Sequence, residues 1–466
     1  MLVTPRWTTW ALLGGVMIAR CCATEGAARK QALVTDPSVV FSVPEVPRPS
    51  YLAPMVDPTF GTTITRIADD TGRPIVWSEP TAAAGTWSND ARHHYVDDQP
   101  WNSDGSLLVL ENRGKPNIIF LDGRTYQPKF PLPRNYERGQ DRWHPSPDHP
   151  HERINLKGSR LEWFDVVRGV QTRHWALPFP ATNDIAGNPS RDGRFIVLTD
   201  TSEGSLTGRM FVVDMDPQPP YSPYPNRRIG PPRDLFSDTG LPNLSLDWAA
   251  ISPSGRYAVV VYNRPANDFW RVYDVDPQTL ALTPRALPKS YPGTSGAADK
   301  GFLYNLGHGD MTLNPFDHDE DAAAGQEHAK NAGRIVNGKP ISWLLMVRLS
   351  DGEITPLSDP NNEAYPFHIS ARNFDRPGWV YVSYHPATGK RFGDEIVAVK
   401  LDGSKSVERL AHTHSNARGL YRAEPHAVPS PDGRHVIFAS NWASSCGSTS
   451  GPKNDIKAYV IDTRRR

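Results

Sequence analysis

Short runs rich in Val, Ile, Leu and aromatic residues alternate along the chain with tight polar turns. The clearest case is Glu424-Pro-His-Ala-Val-Pro-Ser-Pro-Asp-Gly-Arg-His-Val-Ile-Phe-Ala-Ser440. His426 opens one strand, Ser430-Pro431-Asp432-Gly433 turns the chain, and His435 to Ser440 returns it. Proline presets one turn torsion and glycine accepts the positive one, so the stretch predicts a hairpin. The turn phrase recurs as Asn102-Ser-Asp-Gly105, Ser190-Arg-Asp-Gly193 and Ser252-Pro-Ser-Gly255. Weaker copies are Ser146-Pro-Asp-His149, Asn314-Pro-Phe-Asp317 and Phe374-Asp-Arg-Pro-Gly378. Successive copies are 44 residues apart at first and 57 to 63 apart later.

A β-rich run follows every copy: Ile118–Gly123, Leu161–Val166, Met210–Asp214, Trp270–Asp274, Trp343–Arg348, Glu395–Gly403 and Lys457–Asp462. Two independent features thus give seven units, each the size of a four-stranded sheet. That pattern predicts an all-β, single seven-bladed β-propeller. The last unit ends at Arg466 without a fourth strand, while Gly61–Ala68 is a strand without a unit. The expectation is that this N-terminal strand closes the ring and leaves only short protected edges. Residues 314–340 are polar and poor in strand formers, and read as an insertion in the fifth unit.

Pro 45 and Gly 36 make about a sixth of the chain, as many turns require, and Trp 13, Tyr 16 and Phe 16 supply a core. The 51 basic and 51 acidic side chains balance, which argues against a nucleic-acid partner. Arg6 before the apolar run Trp7–Ala19, with small residues after it, reads as a signal peptide over 1–23. The run is too short for a membrane span. A secreted or periplasmic protein is expected, with a linker or disordered arm over 24–54 and the propeller over 55–466, and a monomer. After cleavage Cys446 is the one cysteine left, so no internal disulfide forms.

In a propeller, residues opening first strands and residues following second strands share one face, opposite the turn phrases. The first group includes His93, His94, Trp248, His308, His368 and His426; the second includes Asn112, Arg113, Asn263, Arg264, Tyr384 and Trp442. His308, His368 and His426 are 60 and 58 residues apart, one blade each. Three imidazoles meeting at the channel suit a divalent metal ion (manganese, zinc or calcium), with Asp310 and His328 as further ligands. Channel histidines that simply bond backbone carbonyls would give the same spacing. His94 as base and Tyr95 as acid suit a proton abstraction, and a satisfied polar cluster at the ring seam is the bland alternative. Arg264 or Arg372 could take a carboxylate two-pronged. Trp143, Trp248 and Trp442 could offer flat platforms to sugar rings, with Asn263 and Tyr384 beside them, although propeller tryptophans mostly pack between blades. No Walker loop, nucleophile elbow or His-Glu-x-x-His motif is present.

Gln99-Pro-Trp-Asn-Ser-Asp-Gly105, Gly307-His-Gly-Asp310, His368-Ile-Ser-Ala-Arg-Asn373, Arg376-Pro-Gly-Trp379 and Pro425–Gly433 carry a resemblance. They resemble a group of secreted bacterial β-propellers that includes oligogalacturonate lyases and ulvan lyases. The resemblance implies a channel metal held by histidines of successive blades, matching His308, His368 and His426. The ulvan lyases imply histidine and tyrosine for proton transfer and an arginine that neutralises the uronate. They also place a catalytic histidine just after the first blade's second strand, where this chain has Asn112 and Arg113. The resulting expectation is a secreted polysaccharide lyase that cleaves a uronic-acid glycan by β-elimination. The alternative is a non-catalytic propeller that binds glycan or protein.

Overall fold

The computed structural model describes residues 33–80, 84–182, 187–200, 208–215, 229–239, 245–263, 269–285, 302–304, 309–313, 320–325, 335–336, 339–340, 342, 344–358, 362–417, 420–443 and 454–464. The architecture is all-β and propeller-like. Antiparallel four-stranded meanders follow one another along the chain; the first and last belong to one nine-stranded sheet, in which Asp90–Arg92 pairs parallel with Ile456–Asp462, and the fourth takes a fifth strand, Phe302–Tyr304. The first holds Asp90–Arg92, Leu107–Asn112, Ile118–Asp122 and Pro128–Pro131, each strand paired with the next. The same meander recurs from Gln140, Ala181, Ser245, Gly309 and Pro366. In the last sheet Val428–Pro429, His435–Ser440 and Ile456–Asp462 are joined by Thr63–Arg66, which pairs antiparallel with the C-terminal strand. Among the described residues the longest helix is Leu235–Thr239, and no helix is long and apolar enough to cross a membrane.

The core lies between sheets. Tyr257–Asn263 is apolar at nearly every position because both of its faces are covered. Ala258, Val260 and Tyr262 pack towards the preceding sheet, and Val259 and Val261 towards the following one. The last and first sheets meet in the same way: Ile437, Ala458 and Val460 share a cluster with Leu108, Leu110 and Ile119.

The turn phrases have one geometry. Gly105, Gly193, Gly255 and Gly433 all have positive φ. In each, the glycine N–H donates to the carbonyl of the phrase's first residue, three positions back, at 2.8–3.0 Å. The side chain of that same residue then accepts from the N–H five positions on: Asn102 from Leu107, Ser190 from Phe195, Ser252 from Tyr257 and Ser430 from His435. This bond explains the Ser or Asn at the start of the phrase.

Two expectations change. From residue 33 the N-terminal arm is neither linker nor disordered. Leu33 and Val46 pack into the core of the last two sheets, and the Arg409 N–H donates to the Val34 carbonyl at 2.9 Å. Arg48 ion-pairs with Asp455 at 2.7 Å. The arm lacks alternation because it lies along side chains of finished sheets rather than in a ladder. In the fifth unit the supposed insertion contains a sheet strand. Glu320–Gly325 pairs with Gly309–Leu313 on one side and Leu344–Arg348 on the other. Its Ala-rich sequence has little strand propensity, and two flanking ladders supply what composition does not. Of the rest, Ile335–Val336 and Lys339–Pro340 form a small hairpin. The expected signal peptide and Cys446 lie outside the described residues.

Candidate functional site

The first sheet's innermost strand is short, and this shapes the centre of the molecule. After Arg92 the chain leaves the sheet and turns at Tyr95–Asp98, where the Asp98 N–H donates to the Tyr95 carbonyl at 3.3 Å. It rejoins at Trp101, opposite Leu108. Between these points distant sheets hold it. Ser370 donates to the Val96 carbonyl at 2.6 Å and Asn188 to the Asp97 carbonyl at 2.7 Å. Gln99 donates to the carbonyls of Arg372 and Pro429 at 3.0 and 2.9 Å. Residues 93–99 therefore fill the space among the inner strands and separate its two ends.

At the end away from the turn phrases, His368 and His426 lie side by side, ring centroids 4.1 Å apart. His368 stands in the inner strand Pro366–Ser370, and His426 just precedes Val428–Pro429. Between them comes Glu424, which ends a single 3-10 turn over Tyr421–Ala423. Its Oε2 is 3.7 Å from His368 Nε2 and 3.5 Å from His426 Nε2. The three donor atoms lie within 4.8 Å of one another, a group that could hold a metal ion. Glu424 Oε2 and His426 Nε2 are buried and make no hydrogen bond among the described residues. Burial pushes the Glu424 carboxyl up to about 7, against the pull of Arg92. His426 is held far below its ordinary value by burial and by the adjacent His368 and Arg92. Its backbone has φ 45°, a left-handed conformation costing about 1–3 kcal/mol that persists only where the surroundings enforce it.

The enforcing groups are visible. Arg92 Nη1 donates to His426 Nδ1 at 2.7 Å. Tyr95 packs on His426 with centroids 4.9 Å apart and meets His368 edge-on at 5.6 Å. Tyr421 stacks over Tyr95, ring centroids 6.4 Å apart, and meets His426 edge-on at 5.1 Å. Tyr421 is 56 % exposed, so this pair links the buried histidines to solvent.

His94 has a partner of its own. Its Nδ1 is 3.4 Å from Asp98 Oδ2. Burial pushes the Asp98 carboxyl up, but Arg142 and His94 outweigh it and leave it at about 2, hence ionised. His94 and Tyr95 are adjacent in sequence but are held by different neighbours.

The other expected site residues are distributed as follows. Asp310 was expected among the ligands. Instead its carboxylate binds Arg372, through Nε at 2.8 Å and through Nη2, and accepts the Ala371 N–H at 2.8 Å. Arg372, expected to neutralise a substrate carboxylate, is thereby engaged with a protein one. It lines a cavity at the turn-phrase end together with Trp143. Tyr384 is buried, with its hydroxyl donating to Glu363 at 3.1 Å. Trp442 is buried, stacked on His414 at 4.3 Å, its indole N–H on the Val46 carbonyl. Neither offers a face to a ligand. His308, His328 and Arg264 lie outside the described residues, as do the side chains of Trp248 and Asn263. Sequence reasoning missed Glu424, Tyr421 and Arg92. The first two belong to a turn outside the repeat; Arg92 was visible only as a neighbour of His93.

No family model and no curated protein matches the chain. Solved structures do. The oligogalacturonate lyase from Vibrio parahaemolyticus shares 12 % identity, with 88 % of this chain and 96 % of that one covered and a TM-score of 0.52. An oligogalacturonate lyase in complex with manganese shares 15 % identity over 91 % and 98 % of the two chains, with a TM-score of 0.36. A β-propeller domain from Myceliophteria thermophila shares 11 % over 68 % and 96 %, with a TM-score of 0.32. At these identities the likeness is one of fold.

Proposed function

We propose that the chain is a secreted, seven-bladed propeller closed by its N-terminal strand and that it cleaves a uronic-acid glycan by β-elimination. The observation that carries the reading is the convergence of His368, Glu424 and His426 beside the stacked Tyr95–Tyr421 pair. The ring is supported by the strand Thr63–Arg66 on the C-terminal sheet and by the core shared between last and first sheets. Export is supported by the N-terminal sequence.

The donor set fits a transition-metal ion such as zinc or manganese better than calcium, which prefers all-oxygen ligands. His368, Glu424 and His426 would hold it, and when bound it would supply the positive charge that neutralises the substrate carboxylate. Arg92 donates to Nδ1 of His426, so the neutral ring carries its proton on Nε2, and it would hold an ion there only as an imidazolate, its proton released to solvent. His94, oriented by the ionised Asp98, is the base that takes the C5 proton. The Tyr95–Tyr421 pair protonates the departing glycosidic oxygen, with Tyr421 in contact with solvent. Arg264 is a second candidate for the carboxylate.

Incubating the protein with a panel of uronate polysaccharides, with and without added divalent metal, tests the reading. The unsaturated uronate end absorbs in the ultraviolet, and its release is the expected result. Absence of that signal on every substrate would leave the non-catalytic glycan- or protein-binding propeller as the function.

A further inference from the structure

A cavity of about 270 Å³ lies at the turn-phrase end, beyond the segment 93–99. Trp101, Trp143 and Phe374 line it, with Pro145, Pro189 and Pro431 around them. Both indole N–H groups are spent inside the protein: Trp143 on the Pro100 carbonyl at 3.0 Å and Trp101 on the Gly123 carbonyl at 3.1 Å. The Gln99 amide nitrogen is tied to two carbonyls. These residues therefore present carbon surface to the cavity.

Two charge pairs supply the polar part, and each is closed on itself. Arg372, 4 % exposed, gives Nε and Nη2 to Asp310. Its Nη1 makes no hydrogen bond among the described residues. At the mouth Arg191 Nη2 meets Asp375 Oδ1 at 3.1 Å, joining the third and sixth sheets. Asp375 Oδ2 is likewise uncommitted among the described residues. Burial holds His144 down at about 3, with His149 and Arg173 adding to it, so this ring is neutral. The cavity thus combines apolar walls, one buried donor, one acceptor at the rim and no net charge.

We propose that this cavity is a second binding site, for an uncharged sugar ring. A pyranose has an apolar face for the aromatic and proline walls. Its hydroxyls both accept, as Arg372 Nη1 requires, and donate, as Asp375 Oδ2 requires. An anion would find both guanidinium groups already neutralised and would meet a carboxylate oxygen at the mouth. The volume holds one ring rather than a chain. The site is independent of the lyase reading, because residues 93–99 stand between it and the histidines.

The test is a tryptophan-fluorescence titration with methyl glycosides of neutral hexoses, alongside free uronic acids. The expected result is a saturable change with at least one neutral glycoside and a Kd at least tenfold weaker for the matching uronic acid. Phe374→Ala should weaken binding tenfold or more, and Ser103→Trp, which fills the cavity from its rim, should abolish it with circular dichroism unchanged. His426→Ala should leave it intact. No saturable change with any neutral glycoside overturns the proposal. So does binding that survives Ser103→Trp, or equal affinity for the uronic acid.

Discussion

Arg92 Nη1 lies 2.7 Å from His426 Nδ1, and both side chains are buried. A guanidinium only donates, so the contact fixes which imidazole nitrogen faces Glu424. Burial, with Arg422 nearby, pulls Arg92 down to about 10, which keeps it charged at neutral pH. Arg92 therefore acts on the site through His426 rather than on a substrate.

Arg92→Gln should lower kcat/KM about 10- to 100-fold, the usual cost of losing a partner behind a ligand. A structural role alone would lower Tm and leave the kinetics of the folded fraction unchanged. Measuring kcat/KM together with metal stoichiometry separates these outcomes. Arg92→Lys, which keeps the charge and a donor, should recover part of the loss.

The repeated turn allows a paired comparison. A Cβ on Gly433 would come within 2.4 Å of the Tyr381 hydroxyl, which itself donates to the Gly433 carbonyl at 2.9 Å. A Cβ on Gly105 would meet nothing within 4 Å, although its φ is equally positive. Gly105→Ala should thus cost about 1 kcal/mol from backbone strain alone. Gly433→Ala should cost about 3 kcal/mol, because the overpacking adds to it. Urea unfolding of the two variants checks the ranking.

Much of this was legible because it is local. Ser430, Pro431, Asp432 and Gly433 carry their turn in four residues, and the same chemistry repeats at Asn102, Ser190 and Ser252. His368 and His426 were legible as neighbours because both begin inner strands of consecutive sheets. Glu424 and Tyr421 were not, because an irregular turn places them and no period points to it. The partnership of Asp310 with Arg372 is a contact between sheets. The blade spacing put both near the centre without showing that they would bind each other. His93 and His94 read as the opening of a strand, whereas hydrogen bonds at Val96, Asp97 and Gln99 tie the segment after Arg92 to other sheets.

Acid should destabilise the fold through buried histidines outside the His368–Glu424–His426 group. Burial lowers His144, His412 and His414 to about 3, 3 and 4. His149 contributes for His144, and His414 for His412. Each is neutral when folded, whereas the unfolded chain protonates it near its ordinary value of about 6.5. The unfolded state thus binds more protons, and stability present above that pH is lost as pH falls below it. The slope is at most about 1.4 kcal/mol per pH unit for each ring. Chemical denaturation between neutral pH and pH of about 4 should show this decline. His412→Phe/His414→Phe should flatten it, and an unchanged slope in that variant would refute the assignment.

The Asp310–Arg372 pair bears on what Arg372 does. Asp310 also accepts the N–H groups of Met311 and Ala371, at 2.9 and 2.8 Å, so its carboxylate is built into two adjacent sheets. Arg372→Met would leave that buried carboxylate without its cation, a change that costs about 3–5 kcal/mol. Adding Asp310→Asn removes the stranded charge, and the double variant should regain most of the loss, a coupling above about 1 kcal/mol in a double-mutant cycle. An arginine that neutralised a substrate carboxylate would behave in the opposite sense: Arg372→Met would cut kcat/KM and leave Tm in place, and Asp310→Asn would not rescue it. Thermal unfolding and kinetics of the three variants distinguish the two, and the buried pairing predicts that stability falls and that Asp310→Asn restores it.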